Sequence, residues 1–308
     1  MRLDRRSFLG TLGAGLAAPA FLGAGTRAPR YPISFSTLGC PGWSWSKVLD
    51  EAERLGFAAI ELRGVAAEMD LTRVPELSGS RIPGTRRELA SRGLVISDLG
   101  ASARMHEKDR AEREKQLDEG RRFIDLAQAL GVPYVRMFGD KVPEGESRDD
   151  VMARIVEGFQ RMAGHAGAAG VTVLIESHGD FTRSKDLEEI LTRVDSSAFA
   201  LLWDAHHTWV AGNEPPAETH GALGRWIRHT HLKDSRPANG ERRYVLTGDG
   251  DVPVRDQVRV LAGAGYRGYY GFEWEKKWHP EIEEPEVAFP HYARVIGEYL
   301  AAAGVKPA

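Results

Sequence analysis

The chain has 308 residues, of which 42% are hydrophobic and 28% charged, as in an ordinary globular protein with a large core. Its 41 basic and 44 acidic residues give a net charge of −3, which argues against a nucleic-acid partner because phosphate binding leaves a basic footprint. The single cysteine, Cys40, excludes an internal disulfide and a cysteine-built metal site, and we expect it to be a small packed residue.

The first 28 residues differ in character from the rest of the chain. A basic start containing Arg5-Arg6-Ser7-Phe8-Leu9 is followed by an uncharged run of Gly, Ala and Leu. This pattern resembles a twin-arginine export signal, which is read by a receptor. A membrane anchor is the alternative, but the glycines and Pro19 make the run weakly apolar for a stable span. We therefore predict a signal peptide over residues 1–28, the twin-arginine export machinery as a partner, and a periplasmic or extracellular location.

From about residue 31, short apolar runs rich in β-formers alternate with longer stretches of helical period. Eight such runs predict strands, over residues 33–37, 58–64, 94–100, 134–140, 171–177, 199–205, 227–234 and 269–275. Helical spacing of apolar residues is clearest in three of the intervening stretches, over residues 44–57, 115–131 and 150–170. A glycine commonly separates the helix from the next strand.

Alternating strands and helices favour parallel pairing of the strands. Eight such units over residues 31–302 predict one α/β catalytic domain, a (β/α)₈ TIM barrel. A doubly wound open sheet is the alternative, but no Gly-rich phosphate loop follows the first predicted strand. The barrel is therefore the favoured fold.

Acids and an imidazole lie at the ends of four successive late strands. Glu176 ends the fifth, Asp204 the sixth, His231 lies near the end of the seventh, and Glu273 lies on the eighth. In a barrel these ends share one mouth, where the chemistry of this fold takes place. Three carboxylates and one imidazole suit one divalent ion: Mn²⁺, Mg²⁺ or Co²⁺, with Zn²⁺ possible. The ion would polarise a carbonyl, while Glu176 and Glu273 remove and return a proton.

Other side chains at the same mouth are candidates for binding a substrate. Glu61 lies on the second predicted strand. Trp209 is one of several indoles at or beyond strand ends that could stack on a sugar, with packing as the alternative. Lys233 and Arg236 begin a basic stretch after the seventh strand that would either bind an anion or form a solvated loop. The role of His206 stays open.

Five spans resemble the sugar phosphate isomerase/epimerase family, whose members have a xylose isomerase-like TIM barrel: VLIESHGDF, WDAHHTW, HTHLKDS, TGDGDVPV and GYRGYYGFEWE. The likeness covers nearly all of residues 31–300. It implies a metal bound by Glu176, Asp204, His231 and Glu273, with the two glutamates as the acid/base pair. It also implies a small-molecule sugar as substrate.

The resemblance further implies that His207 contacts the substrate and that His229 is a packed neighbour of the ligand histidine. Thr182 stands where ketose epimerases have a second acid, and His178 instead forms an E-x-H pattern that other branches share. Arg236 loosely matches an arginine that follows the seventh-strand motif. We therefore include His178 and Arg236 among the expected substrate-binding residues.

These expectations combine into a metal-dependent sugar isomerase or epimerase that works through an enediolate. Export favours an unphosphorylated substrate, because sugar phosphates are largely confined to the cytoplasm. The alternative is a lyase that performs β-elimination on 3-keto-glycosides. A non-catalytic sugar-binding protein and an apurinic endonuclease are less favoured, the latter because its trinuclear zinc site needs histidines where Glu61, Asp98 and Asp140 stand. A homo-oligomer is compatible with the sequence.

Overall fold

Eight parallel strands close into a barrel in the computed structural model, which describes residues 29–308. The strands in chain order are β1 Ile33–Ser36, β2 Ala59–Leu62, β3 Val95–Arg104, β4 Tyr134–Phe138, β5 Thr172–Glu176, β6 Phe199–Asp204, β7 Ile227–Leu232, β8 Asp234–Ala238, β9 Glu241–Val245 and β10 Tyr270–Phe272. The barrel order is β1-β10-β7-β6-β5-β4-β3-β2. The predicted (β/α)₈ barrel is confirmed, and the signal peptide predicted over residues 1–28 lies outside the described residues.

Helices cover the outside of the barrel. They are α1 Trp45–Arg54, α2 Ile82–Arg92, α3 Arg110–Leu130, α4 Arg148–Ala169, α5 Ser184–Val194, α6 Ala205–Val210, α7 Pro216–Leu223, α8 Val254–Gly263 and α9 Pro285–Ala302. The three helices singled out in the sequence correspond to α1, α3 and α4. Helix α3 begins earlier than predicted because the Asp109 carboxylate accepts a hydrogen bond from the backbone N–H of Glu112 at 2.9 Å. Among residues 29–308, no helix is both long and apolar enough to cross a bilayer.

The main apolar core lies between the strands and the surrounding helices, and the inside of the barrel contains polar side chains. Phe123 on α3, Phe159 on α4 and Leu187 on α5 each lie on the buried face of their helix. Asp98 and His229, in contrast, contact each other inside the barrel, where both are at most 1% exposed. Buried polar groups of this kind need partners, so the barrel interior must satisfy them internally.

A two-stranded antiparallel hairpin, β8–β9, follows β7, where the sequence indicated only a basic loop. It is anchored by Asp234, whose carboxylate accepts backbone hydrogen bonds from Gly248 at 2.8 Å, Gly250 at 3.0 Å and Val252 at 3.2 Å. Arg236 lies on this hairpin and is exposed. Its predicted role in substrate binding is therefore not supported, because pairing with β9 directs it away from the barrel mouth.

The two ends of the described chain meet at the amino-terminal face of the barrel. Arg30 and Ala308 exchange two backbone hydrogen bonds of 3.0 Å each. The Arg30 guanidinium also donates to the carbonyl of Phe57 at 3.0 Å, in the turn that leads into β2. Both ends are thus fixed to the face opposite the carboxyl ends of the strands.

Candidate active site

Four side chains from successive late strands converge at the carboxyl-terminal mouth of the barrel. Glu176 ends β5, Asp204 ends β6, His231 lies on β7 and Glu273 directly follows β10. One ligand atom from each lies within 4.8 Å of the others, and all four side chains are buried. The pairing of Asp204 with His231 across β6 and β7 places these two side chains at one level. The four predicted strand-end residues therefore come together.

The donor atoms of this cluster suit a divalent cation. Nδ1 of His231 lies 3.5 Å from Oε1 of Glu176, 3.7 Å from Oδ2 of Asp204 and 3.3 Å from Oε2 of Glu273. That nitrogen is buried and has no hydrogen-bond partner among residues 29–308. A buried imidazole nitrogen facing three carboxylates is a donor set for Mn²⁺, Mg²⁺, Co²⁺ or Zn²⁺, so the residues present fit the expected ion.

Glu61 lies beneath this cluster and not in the substrate cavity, which corrects the prediction that it binds substrate. Its Oε2 accepts a hydrogen bond from Nε2 of His231 at 2.6 Å, and the side chain is 1% exposed. Burial raises the pKa of Glu61, but the imidazoles of His231 and His229 outweigh burial and hold it well below its usual range. The bond fixes the His231 tautomer in which Nδ1 is free to bind a metal ion.

His229 and Asp98 lie inside the barrel on the side of Glu61 away from the donor cluster. Nε2 of His229 lies 3.3 Å from Oε2 of Glu61 and 3.2 Å from Oδ1 of Asp98. Burial, with the nearby Glu61 carboxylate, raises the pKa of Asp98 to about 6. His229 is therefore a packed neighbour of the ligand histidine, in the place that the sequence predicted for it.

Lys233 is part of the site, although the sequence was interpreted as placing it in a basic loop. Its fully buried Nζ lies 2.7 Å from Oδ2 of Asp204 and 2.7 Å from Oε1 of Glu275, and it also pairs with Glu273. Burial lowers the pKa of Lys233, but these three carboxylates raise it well above the usual value. The alternation of His229 and His231 on β7 with Lys233 directly after it was the signal that could have predicted its inward direction.

Two arginines that the sequence analysis did not single out also line the site. Arg136 on β4 places Nε 3.0 Å from Oε2 of Glu176, with both side chains 1% exposed. Burial raises the pKa of Glu176, but the Arg136 guanidinium and the His231 imidazole together outweigh burial and lower it. Arg63, directly after β2, lies beside Arg136 and is also buried. Arginine in a predicted buried strand was the available signal, since an unpaired charge is costly there.

A cavity of about 80 Å³ opens above the cluster and contains both predicted histidines of the mouth. Nδ1 of His178 lies 3.1 Å from Oδ1 of Asp140, and the His178 and His207 rings are 5.2 Å apart. Burial lowers the pKa of His207. Burial also lowers the pKa of His178, but the hydrogen bond with Asp140 and the charges of Glu176 and Asp140 together outweigh that effect and raise it. The cavity thus presents one imidazole that favours the neutral form and one that favours the charged form.

The sequence profile of the xylose isomerase-like TIM barrel family matches residues 49–295. The chain belongs to this family. A putative L-ribulose-5-phosphate 3-epimerase of Escherichia coli is 25% identical over 274 residues, which cover 85% of this chain and 93% of that protein. The similarity of this chain to solved members of the family also extends along the barrel.

Two solved structures illustrate that likeness. A D-tagatose 3-epimerase-like protein superimposes with a TM-score of 0.71 at 18% identity, covering 89% of this chain and 98% of the other. A xylose isomerase-like TIM barrel protein from Mycobacterium smegmatis, in complex with magnesium, gives a TM-score of 0.67 at 21% identity, covering 89% and 97%. At these identities the likeness establishes the fold.

In this member of the xylose isomerase-like family, two residues of the WDAHHTW motif lie outside the cavity. Trp209, on α6, is half-buried against the apolar core and does not line the cavity, so its predicted contact with substrate is not supported. Nε2 of His206 lies 2.7 Å from Oγ of Ser235, which assigns this buried residue to hairpin packing. Because α6 starts directly after Asp204, the rotation of successive residues along the helix turns the side chains of His206 and Trp209 away from the barrel axis. The indole at the cavity is Trp278, which is 53% exposed.

Proposed function

We propose that this protein is a metal-dependent sugar isomerase or epimerase. It would remove a proton from the carbon next to a carbonyl and return a proton to the substrate. The observation that carries the proposal is the position of Glu176 and Glu273. They come from non-adjacent barrel strands, lie within 3.5 Å of the same nitrogen of His231, and line one cavity. A substrate held there would have a carboxylate on each side.

The charge states of the two glutamates favour proton abstraction. Burial raises the pKa of Glu273, but His231 and Lys233 outweigh it and hold the carboxyl ionised. Arg136 and His231 together have the same effect on the pKa of Glu176. An ionised carboxylate near the substrate is the form that accepts a proton from carbon. A divalent ion bound by the cluster would supply Lewis-acid polarisation of the substrate's carbonyl and hydroxyl oxygens.

The fate of the proton separates the two reactions. In an isomerisation, the carboxyl group that removed the proton returns it to the neighbouring carbon on the same face. In an epimerisation, the proton returns to the same carbon from the opposite face, so the second glutamate must first take up a proton from solvent, which it then donates. His178 and His207, on the wall of the cavity, would hold substrate hydroxyls in either case.

We also propose export through the twin-arginine pathway and an unphosphorylated substrate. The support is the sequence Arg5-Arg6-Ser7-Phe8-Leu9 near the start of the chain. The E. coli relative is named for a sugar phosphate, so substrate choice would differ between the two proteins. Fractionation of the native host, with an Arg5→Lys/Arg6→Lys control, tests the export proposal: the wild-type protein should leave the cytoplasm and the variant should remain there.

Proton NMR in D₂O tests the proposed reaction. The full-length protein, loaded with Mg²⁺ to keep resonances sharp, is incubated with ketoses, aldoses and 3-keto-glycosides. We expect deuterium to appear next to the carbonyl while the carbon skeleton is retained. Release of an aglycone with an unsaturated keto-sugar would instead show β-elimination, and binding without exchange would show a non-catalytic protein.

Glu273→Gln is the matched test of the glutamate pair, because it retains an oxygen ligand but removes the base. We expect exchange to fall by about 10²-fold or more, the range for a positioned general base. Glu214→Gln is the control: this carboxylate caps α5 by accepting from the backbone N–H of Ser184 at 2.9 Å, away from the cavity. Equal losses in both variants would contradict the assignment of Glu273.

A further inference from the structure

Arg63 is a buried guanidinium whose hydrogen bonds are incomplete. The residue is 6% exposed, and Nη2 donates to Oγ of Ser102 at 2.9 Å. Nη1 is buried without a hydrogen-bond partner. Within residues 29–308, no carboxylate forms an ion pair with Arg63. Buried charged groups are normally paired, so a free buried donor indicates a partner that the chain itself does not supply.

A second guanidinium lies next to it. A Cβ added at Gly100 would come within 2.7 Å of Cδ of Arg63 and 2.8 Å of Nη2 of Arg136, so both side chains cross this glycine at close contact. Nη1 of Arg136 donates to the carbonyl of Ala101 at 3.1 Å. Burial and the like charge of Arg136 lower the pKa of Arg63 to about 10. Two neighbouring cations in a buried site attract an anion more strongly than either would alone.

Both arginines line the same cavity as Glu176 and Glu273. Resting on the proposed function, we propose that Arg63 and Arg136 bind a carboxylate of the substrate, which is then a keto-sugar acid. Arginine binds a carboxylate through charge-assisted and often bidentate hydrogen bonds. Arg63 supplies the free donor, and Arg136 the adjoining charge.

The position of Arg63 and Arg136 indicates which part of the substrate carries the carboxylate. Because Arg136 also contacts Glu176 at 3.0 Å, an anion held by the two arginines lies beside the reacting carbonyl. A carboxylate bonded to the carbonyl carbon, as in a 2-keto-aldonate, meets this requirement. The terminal phosphate of a sugar phosphate is several bonds from the reacting carbons, and a cavity of about 80 Å³ leaves little room to fold it back.

Calorimetric titration of the full-length protein tests this proposal with matched ligands. 2-Keto-D-gluconate and D-fructose share their stereocentres and differ only at C1, as do 2-keto-L-gulonate and L-sorbose. D-Fructose 6-phosphate provides the phosphate comparison. Each ligand is titrated into protein loaded with Mg²⁺ and into protein stripped with EDTA, so that attraction of the acid to the ion itself is measured separately.

We expect at least one acid to bind about tenfold or more tightly than its neutral partner, with and without Mg²⁺, in line with a charge-assisted hydrogen bond. Arg63→Gln should reduce that ratio to about one. Arg122→Gln is the control, since it removes the same charge from a residue whose side chain is 49% exposed and lies outside the cavity. The ratio should remain as in the wild-type protein.

Equal binding of acid and neutral partner, no binding of either acid, or an acid preference that persists in Arg63→Gln would each overturn the proposal. Tighter binding of D-fructose 6-phosphate would identify a phosphate site and also overturn it. Exchange in D₂O with the same compounds separates this proposal from the proposed function. Acid preference without exchange would contradict only the function, while exchange of neutral sugars without acid preference would contradict only the role of the arginines.

Discussion

The Glu61 carboxylate accepts a hydrogen bond of 2.6 Å from Nε2 of His231, whose Nδ1 faces the three other donor side chains of the site. A carboxylate behind a metal-binding histidine fixes both its tautomer and its ring orientation. We predict that Glu61→Leu weakens metal binding by about 10- to 100-fold, the usual effect of losing such a partner. Glu61→Gln, which can still accept the bond, should lose less.

Calorimetric titration with Mn²⁺ measures this effect directly, independently of turnover. Glu214→Gln again serves as the control, because its carboxylate caps α5 and has no contact with His231. Unchanged Mn²⁺ affinity in Glu61→Leu would show that packing alone orients His231.

The Lys233 ammonium shares Asp204 and Glu273 with the proposed metal ion. We predict that Lys233→Met destabilises the metal-free protein by about 3–5 kcal/mol, because buried carboxylates lose their counter-charge. The same change should tighten Mn²⁺ binding, since a cation no longer competes for these oxygens. Thermal unfolding with and without Mn²⁺ measures both effects.

Lys276→Met is the matched control for Lys233, because its ammonium contacts the carbonyls of Pro280 and Ile282 instead of the donor cluster. Its Mn²⁺ affinity should equal that of the wild-type protein. Weaker Mn²⁺ binding in Lys233→Met would mean that the lysine holds the donor cluster in place and does not compete with the ion.

Gly100→Ala, a substitution on β3, should displace the arginines of the site. The new methyl group would meet Arg63 and Arg136 at under 3 Å, so at least one guanidinium must move. We predict a loss of about 1–3 kcal/mol of stability, as for overpacking, together with reduced sugar binding. Gly139→Ala provides the comparison, because its neighbours would lie at 3.5 Å or more. Similar stability and binding in the two variants would contradict this interpretation.

Cys40 should be inert in the native protein. The residue is 2% exposed, and burial raises the pKa of its thiol well above the usual value, so the reactive thiolate is scarce at neutral pH. We predict negligible reaction with a thiol-specific reagent at pH 8 and one equivalent of reaction in guanidinium chloride. Rapid reaction without denaturant would indicate local opening around β1.

The barrel could be predicted because its strands follow a simple rule. Each barrel strand is a short apolar run followed by polar residues, and the observed ends lie within a few residues of those predicted, β3 excepted. β3 extends to Arg104, beyond the predicted end at residue 100, through residues 101–104, where two small alanines are the only apolar residues. The β8–β9 hairpin escaped prediction because the anchoring bonds of Asp234 connect residues 14 or more positions apart.

The site could be predicted only for residues whose position at the end of a strand determines where the side chain points. Glu176, Asp204 and Glu273 lie at strand ends, so convergence at one mouth was implied by the fold. Glu61 also lies on a strand, but one sequence does not show how deep in the barrel each inward side chain lies. Arg63 was missed because charge on a strand could equally mark a solvated edge, and only packing beside Arg136 shows otherwise.

The backbone pairing of Arg30 with Ala308 also bears on how this protein can be handled. Because residues 30 and 308 lie together on the face opposite the barrel mouth, a reporter or a solid support attached after residue 308 leaves the cavity open to solution. A short linker between residues 308 and 29 would also allow new termini in an exposed turn elsewhere on the same face. The molecule is thus suited to circular permutation and to oriented immobilisation.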